Sequence, residues 1–195
     1  MAAYHLDGSE LECVLNEAFA KGSFEFVVDD WLMPKLPVLG DEWGSGRIDI
    51  ASEHFATNAI IRRMAATFEG AGRAKSRSLV FVGLPSDSYH EIGTLALATA
   101  LRRRGMTPVY LGANVPTQAW TASILRQESA AAIVGVMTSS DIGSARDIVE
   151  AVISTSSQIF VAVGGPYVDK VGLDAVVLPP RITDAVAVLA DRFGF

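Results

Sequence analysis

Cysteine is nearly absent from this sequence, in which Cys13 stands alone among 195 residues. A single thiol cannot form a disulfide within the chain, and such low cysteine use suits a reducing cytoplasm. The sequence also lacks an apolar run near the roughly 20 residues that a membrane-spanning helix requires. Its N-terminus shows no basic segment followed by an apolar block. We therefore expect a cytoplasmic protein without a membrane partner.

An excess of basic charge is missing as well. The formal net charge is −6, which repels phosphate backbones and argues against direct nucleic-acid binding. Neither G-x-G-x-x-G nor G-x-x-x-x-G-K follows the first apolar run, which argues against a usual dinucleotide site and a P-loop. No G-x-S-x-G nucleophile turn is present, and the three histidines show no metal-site spacing. The sequence therefore carries no signature of nucleophilic catalysis or of a zinc site built by its own side chains.

The first part of the chain, residues 1–72, lacks strand-like alternation and repeats apolar residues at helical spacing. Ser9, with a glutamate three residues later, predicts a capped first helix. Pro34 and Pro37 predict a kink or a new turn in the segment that follows, and Asp49 predicts the cap of a long third helix. The predicted apolar side of that helix comprises Phe55, Ile60, Ile61, Met64 and Phe68. We expect a small helical bundle.

The second part, residues 78–195, alternates short apolar runs with helical segments, which is typical of a parallel α/β sheet. The intervening residues 73–77 lie in a glycine-rich, basic stretch and are the predicted linker. The predicted strands are Leu79–Gly83, Pro108–Leu111, Ala132–Val136, Ile159–Val163 and Ala175–Leu178. The predicted helices are Ile92–Arg104, Thr117–Gln127, Ile142–Ser154 and Thr183–Phe193. We expect an α/β fold with a doubly wound, Rossmann-like, five-stranded sheet behind the helical bundle.

Small and polar residues follow the predicted strands. These residues are Asp87, Ser88 and His90 after the first strand, Gly112–Asn114 after the second, Met137–Ser140 after the third and Gly164–Pro166 after the fourth. Open α/β sheets bind ligands at the carboxyl ends of their strands, and glycines there let a ligand approach the backbone. Any one of these turns also fits a tight strand-to-helix connection. Together with the histidine loop, they predict a ligand lying across the edge.

These residues resemble those of a known domain. Ser78–Phe195 is similar to a cobalamin-binding domain, and Ser9–Gly72 to the helical cap that precedes it in methionine synthase and related proteins. The matching features are His90 and Gly93 of the family pattern D-x-H-x-x-G, the phrase LGANVP from Leu111 to Pro116, and Gly164-Gly165. The resemblance implies that His90 is the lower axial ligand of cobalt, in place of the dimethylbenzimidazole tail. It also implies that the tail enters the sheet beside the Gly-Gly turn.

The sequence departs from the family pattern at two positions. Ser88 stands where the family has an aspartate that accepts the second imidazole N–H and raises its basicity, and Asp87 lies one residue earlier. Met137 stands where the family has a serine, which leaves Thr138 or Ser139 to contact the tail. Both changes bear on methyl-transfer chemistry more than on binding.

The helical part carries a second resemblance. Trp43 is followed, after nine residues, by Glu53-His54, and this spacing is similar to that of adenosylcobalamin light receptors of the CarH type. The resemblance implies that these three side chains line the upper face of the cofactor around the adenosyl group. Ile50 would add apolar contact there. By spacing alone, Trp43 could equally be a core residue and His54 an ordinary helical residue.

The resemblance implies a cobalamin-dependent photoreceptor module that is not itself an enzyme. It would bind adenosylcobalamin base-off and His-on, form a homo-oligomer, expected to be a dimer, whose association changes with light, and act through an output domain or partner protein. Two alternatives stay open: a corrinoid methyl carrier of a methyltransferase system, and a cobalamin store. A non-covalent bilin such as biliverdin, as in photocobilins, also stays open, since no bilin-attaching cysteine is evident.

The resemblance also implies a set of cofactor-binding residues, with His90 as the ligand of cobalt. The set comprises Trp43, Ile50, Glu53, His54, Asp87, Ser88, Tyr89, His90, Glu91, Ile92, Gly93, Met137, Thr138, Ser139, Gly164, Gly165 and Pro166.

Overall fold

The computed structural model of the protein describes residues 2–72, 78–127, 129–172 and 174–195. The chain divides into two compact units, Met1–Gly70 and Ala71–Phe195. The predicted linker, residues 73–77, lies outside the described residues. Among the helices in the described ranges, none combines the length and apolar character needed to cross a membrane.

The first unit is helical. Its elements are α1 (Gly8–Phe19), α2 (Phe24–Val27), a π-helical turn (Val28–Leu32), α3 (Met33–Gly44) and α4 (Ile50–Gly70). Helix α4 contacts both α1 and α3, and α1 contacts α2. The unit is thus built around α4, its longest helix.

Helix α1 begins earlier than the sequence indicates. Asp7, not Ser9, is the N-cap, and its Oδ1 accepts a 2.9 Å hydrogen bond from the backbone N–H of Glu10. Both residues have a glutamate three positions later, so the capping-box pattern fits either. The earlier residue is an ionised carboxylate, which the positive end of the helix dipole favours. The prediction of Ser9 as the cap is wrong.

The two prolines are accommodated without ending the helix. The π-helical turn directly precedes α3, Pro34 occupies the first turn of α3, where a missing N–H costs little, and Pro37 lies inside the helix. Proline removes a backbone donor and crowds the carbonyl four residues earlier. The predicted interruption takes the form of a widened turn before α3.

Helix α4 is capped as predicted, because the backbone N–H of Ser52 donates to Asp49 Oδ1 at 2.7 Å. Its buried side runs along Ser52, Ala56, Ile60 and Met64. The predicted apolar side is therefore correct at Ile60 and Met64 only. The three other residues of that prediction are half-buried, because the row in contact with the core repeats every fourth residue.

The second unit is a doubly wound α/β fold. Its strands are β1 (Leu79–Pro85), β2 (Thr107–Val115), β3 (Ser129–Gly135), β4 (Phe160–Gly164) and β5 (Val176–Val177). Its helices are α5 (Ile92–Arg103), α6 (Thr117–Arg126), α7 (Asp141–Thr155) and α8 (Ile182–Phe193). The strands pair in parallel in the order β2-β1-β3-β4-β5. The predicted fold class is confirmed.

Helices cover both faces of the sheet. Phe81 of β1 belongs to a buried cluster with Trp120 of α6 and Ile148 of α7. Its neighbours Val80 and Val82 are also buried and point to the opposite face, because side chains alternate along a strand. Helix α5 contacts β1, and it also contacts α8. Burial on both faces explains why the central strands read as continuous apolar runs.

Strand β2 differs most from its prediction. It continues through Gly112–Asn114 to Val115, whereas the sequence indicates a strand that ends at Leu111 and a turn after it. The pairing of β1 with β2 shifts register twice, between Val82 and Gly83 and again before Pro85. Each shift gives β2 one more residue than β1, which bends a strand and re-aims its side chains.

Candidate functional site

The strand order places a switch point at β1. β1 has β2 on one side and β3 on the other, so the chain reverses the direction in which it adds strands there. Doubly wound sheets bind ligands outside the carboxyl ends of the strands at such a point. The predicted loops after β1 and β3 lead from these ends, and the loop after β4 comes from the next strand along. The structure therefore brings these three predicted segments to one edge of the sheet.

The loop after β1 carries His90, the residue predicted to bind cobalt. Asp87 has a positive φ of 62°, and the N–H of Ser88 donates to the Pro85 carbonyl at 3.2 Å. Ser88 is buried, with 2% of its surface exposed, whereas His90 and its neighbour Tyr89 are exposed. The loop thus combines a buried Ser88 with an exposed His90 two residues later.

The Ser88 hydroxyl is the polar group at this loop that lacks a bond. Its Oγ is buried and has no hydrogen-bond partner in the part of the chain that the structure describes. A buried hydroxyl without a partner costs about 1–3 kcal/mol, and such groups call for a specific explanation. A polar group of a bound ligand would satisfy it. This orphaned hydroxyl, two residues before His90, fits a loop that is completed by a ligand.

Asn114 connects β2 to this loop. Its Oδ1 accepts a 2.9 Å hydrogen bond from the Asp87 N–H, and its own N–H donates to the Ser88 carbonyl at 2.9 Å. Asn114 was predicted as part of a small-residue turn and of the phrase LGANVP, but its contact with the loop was missed. Strand register, which local spacing does not encode, creates that contact.

Tyr110 of β2 contacts the other end of the loop. Its hydroxyl donates to Glu91 Oε2 at 2.7 Å, and burial, with the hydrogen bond to Glu91, raises the pKa of Tyr110 above its ordinary value. The Glu91 carbonyl in turn accepts a 2.9 Å bond from the Thr94 hydroxyl at the start of α5. Glu91 and the buried Ile92 are therefore held in place at the beginning of that helix. Gly93, which follows, is half-buried.

The loop after β3 is organised by a residue that the sequence analysis missed. Asp141, 3% exposed, accepts 2.8 Å hydrogen bonds on Oδ2 from the backbone N–H groups of Met137 and Thr138. The hydroxyls of Thr138 and Ser140 share a 2.7 Å hydrogen bond, and Ser139 is exposed. A signal existed, since Asp141 is an acidic residue at a helix start after three Ser or Thr residues.

The glycine pair after β4 packs against the loop after β3. The N–H of Val136 donates to the Gly164 carbonyl at 2.8 Å. Gly165 has φ 126°, and a Cβ there would lie 2.4 Å from the Val136 carbonyl oxygen. A Cβ at Gly164 would meet only Leu178, at 3.8 Å. A glycine is therefore required at position 165 because the two loops approach each other closely there. Pro166, the next residue, is exposed.

The predicted upper-face residues lie in the first unit. Trp43, 49% exposed, is near the end of α3, and Ile50, also exposed, begins α4. His54 Nδ1 lies 2.7 Å from Glu53 Oε2, and the Thr57 hydroxyl donates to Glu53 Oε1 at 2.7 Å. The structure thus places these residues on two helices that contact each other, around the turn that joins them. Their contact with a ligand stays a prediction.

The chain is similar to known proteins in both sequence and structure. Two sequence-family models match this chain, and each is described as a B12 binding domain. One matches residues 1–67 and the other matches residues 78–180. The chain is 32% identical over 114 residues to the HTH-type transcriptional repressor CarA of Myxococcus xanthus. The matched region covers 58% of this chain and 38% of CarA. Over 112 residues it is 30% identical to the repressor CarH of the same organism, 57% of this chain and 37% of CarH.

The matches therefore span less than half the length of either repressor. Among solved structures, the monomethylamine corrinoid protein of Methanosarcina barkeri superposes with a TM-score of 0.78 at 14% identity, covering 97% of this chain and 93% of that chain. At this identity the likeness establishes the fold.

Proposed function

The chain belongs to the B12-binding domain family, and on that premise we propose that it is a cobalamin-dependent photoreceptor module. In this proposal it holds adenosylcobalamin base-off with His90 as the lower axial ligand, and it changes conformation or oligomeric state in the light. The observation that carries the proposal is the exposed His90 in the loop at the switch point of the sheet, two residues after the buried Ser88, whose hydroxyl has no partner among the described residues.

In this proposal the lower face of the cofactor would contact three loops of the second unit. His90 would bind cobalt through one ring nitrogen, and the buried Ser88, two residues earlier in the loop, would offer its hydroxyl to the bound cofactor. The backbone bonds to Asp141 hold Met137 and Thr138 in one conformation at the next loop. There the Thr138 and Ser139 hydroxyls would contact the tail of the cofactor, as would the chain at Gly164–Pro166. Polar donors around an apolar sheet edge are what ligand sites of this kind use.

The upper-face assignment makes the adenosyl form the proposed cofactor. Trp43 and Ile50 expose apolar surface at neighbouring helix ends, which supports contact with a flat organic group. Glu53 is held by His54 and Thr57, so its carboxylate is preorganised. Bound cobalamin would supply the photochemistry through a cobalt–carbon bond that light cleaves. The protein would supply ligation and packing, and in this proposal its conformation or oligomeric state responds to the photochemistry.

The similarity to CarA and CarH supports a sensor over a methyl carrier. Both relatives are named transcriptional repressors, and the chain spans under two fifths of their length. We propose that the output of this chain lies in a further domain or a partner protein, and that the chain itself forms a homo-oligomer with light-dependent association.

The test is purification in darkness with adenosylcobalamin, followed by absorption spectra and light-scattering mass before and after illumination. Methylcobalamin-loaded protein and the His90→Ala variant are the controls. We expect a His-on spectrum, a light-induced spectral change and a change of mass or hydrodynamic radius. Unchanged mass and radius would leave a cobalamin store, and methyl transfer from methylcobalamin to a thiol or folate would identify a methyl carrier. The dark spectrum also tests for a bilin, which adds a strong red band.

A further inference from the structure

Strand β2 holds the His90 loop at two points. Asn114 binds residues 87–88, before the histidine, through two hydrogen bonds of 2.9 Å. Tyr110 binds Glu91, directly after the histidine, at 2.7 Å. His90 therefore lies between two sets of hydrogen bonds, both made by residues of the neighbouring strand β2.

The attachment at Asn114 depends on unusual backbone geometry. Asn114 has φ 53° and Asp87 has φ 62°, a region that residues other than glycine rarely adopt and that asparagine and aspartate tolerate best. Asn114 also lies within the second register shift of β2 against β1, between the pairs Gly83–Gly112 and Pro85–Val115, where an extra residue re-aims the strand. Such conformations persist where the surroundings over-determine them, and they concentrate at functional sites.

Among the described residues, few other hydrogen bonds hold the loop at the end that precedes His90. The Ser88 hydroxyl, which could have bonded to a neighbouring group, has no partner within the described ranges. A backbone hydrogen bond within the loop at this end joins the Ser88 N–H to the Pro85 carbonyl at 3.2 Å. The Asn114 side chain, from a residue 27 positions away, is therefore the side chain that fixes the turn before His90.

We propose that Asn114 is a positioning residue for cobalamin ligation. By accepting from the Asp87 N–H and donating to the Ser88 carbonyl, it fixes the turn from which the His90 imidazole projects. Because the turn is already fixed, the His90 residue loses less conformational entropy when its imidazole binds cobalt. The His-on form is then favoured over a base-off form in which the histidine does not bind. This inference rests on the proposed role of His90 as the lower ligand.

Two substitutions separate the acceptor from the backbone conformation. Asn114→Gly keeps a residue that readily adopts positive φ but removes the side-chain acceptor. Asn114→Asp keeps an acceptor oxygen and tolerates the same φ. Because Asn114 is exposed, both variants should fold, and circular dichroism with thermal unfolding of the cofactor-free proteins verifies this. The readouts are the spectrum of bound adenosylcobalamin in darkness and its dissociation constant.

We expect Asn114→Gly to show a reduced His-on fraction and roughly tenfold weaker binding, and Asn114→Asp to retain the spectrum of the unsubstituted protein. Combined with His90→Ala, the Asn114→Gly substitution should weaken binding no further, because its effect acts through the imidazole. Equal weakening with and without His90 would overturn the inference, as would an unchanged His-on spectrum in Asn114→Gly. If the unsubstituted protein itself lacks a His-on spectrum, the proposed ligation fails instead, and the two failures are thereby distinguished.

Discussion

A Cβ atom on Gly165 would lie 2.4 Å from the carbonyl oxygen of Val136. The two residues follow neighbouring strands, and the same carbonyl accepts a 3.3 Å bond from the Tyr167 N–H, while the Val136 N–H donates to Gly164. The loops after β3 and β4 are thus joined backbone to backbone. A side chain at position 165 cannot enter without separating them.

Substitution of Gly165 by alanine should therefore destabilise the second unit by about 1–3 kcal/mol, through strained positive φ and the forced separation of the loops. It should also weaken cobalamin binding, because both loops belong to the proposed site. Urea unfolding and a cobalamin titration measure the two effects. The matched control is Gly164→Ala, whose Cβ would have ordinary contact at 3.8 Å. If Gly164→Ala lowers the free energy of unfolding by as much as Gly165→Ala, crowding at Gly165 is not the cause of the destabilisation.

The Ser88 hydroxyl gives a second prediction, since it is buried without a partner in the described residues. Ser88→Ala should leave the free energy of unfolding of the cofactor-free protein unchanged or raise it by up to about 1 kcal/mol, because removing an unbonded buried polar group relieves its desolvation cost. The same substitution should weaken cobalamin binding if the hydroxyl bonds to the bound cofactor or its histidine. A loss of stability in the cofactor-free protein would show that Ser88 already has a partner there. Ser86→Ala, in the same loop, is the control.

Asp141 gives a third prediction: unlike Ser88, it already has hydrogen-bond partners, so its removal should lower the stability of the cofactor-free protein. Its Oδ2 accepts two backbone hydrogen bonds while nearly buried, so Asp141→Ala leaves the Met137 and Thr138 N–H groups without a partner. We expect a loss of about 1–3 kcal/mol in the free energy of unfolding, measured by urea denaturation. Asp147→Ala, an exposed position on the same helix, should stay within about 0.5 kcal/mol. Equal losses in both variants would rule out the loop contacts as the source.

The sequence located most elements of the second unit because buried parallel strands read as apolar runs bounded by turn residues. The bounds of β1 and of the helices α5 to α8 differ from their predictions by at most two residues at either end. Two strands differ more: β3 begins three residues before its predicted start, and β2 ends four residues after its predicted end. The two extra residues of β2 at the edge carry no local signal. A bulge depends on pairing with a neighbouring strand, and pairing is a non-local property.

The residues that support the site were harder to find than those predicted to bind. Asn114 and Asp87 are 27 residues apart, and Tyr110 and Glu91 are 19 apart, so only strand register brings these partners together. Asp141 differs because its partners are three and four residues away. A local rule for acidic residues at helix starts would have identified it.

Trp43 provides the last prediction, which concerns the upper face. The indole is half exposed, so Trp43→Ala should change the free energy of unfolding of the cofactor-free protein little, while it removes a flat apolar surface that we expect to contact the adenosyl group. Affinity for adenosylcobalamin should fall several-fold, and affinity for methylcobalamin, which has a small upper ligand, should fall less. Dark titrations with both cofactors give the ratio of the two dissociation constants.

Phe26 offers a matched control, because it is an aromatic residue of the same unit with 54% of its surface exposed and it lies outside the predicted site. Phe26→Ala should leave the ratio of the two dissociation constants unchanged. If both variants lower the ratio equally, the change reflects the helical unit as a whole and not an adenosyl contact at Trp43. If the unsubstituted protein binds both cofactors with equal affinity, the upper-face assignment of Trp43, Glu53 and His54 is wrong, because an adenosyl pocket must distinguish a large upper ligand from a methyl group.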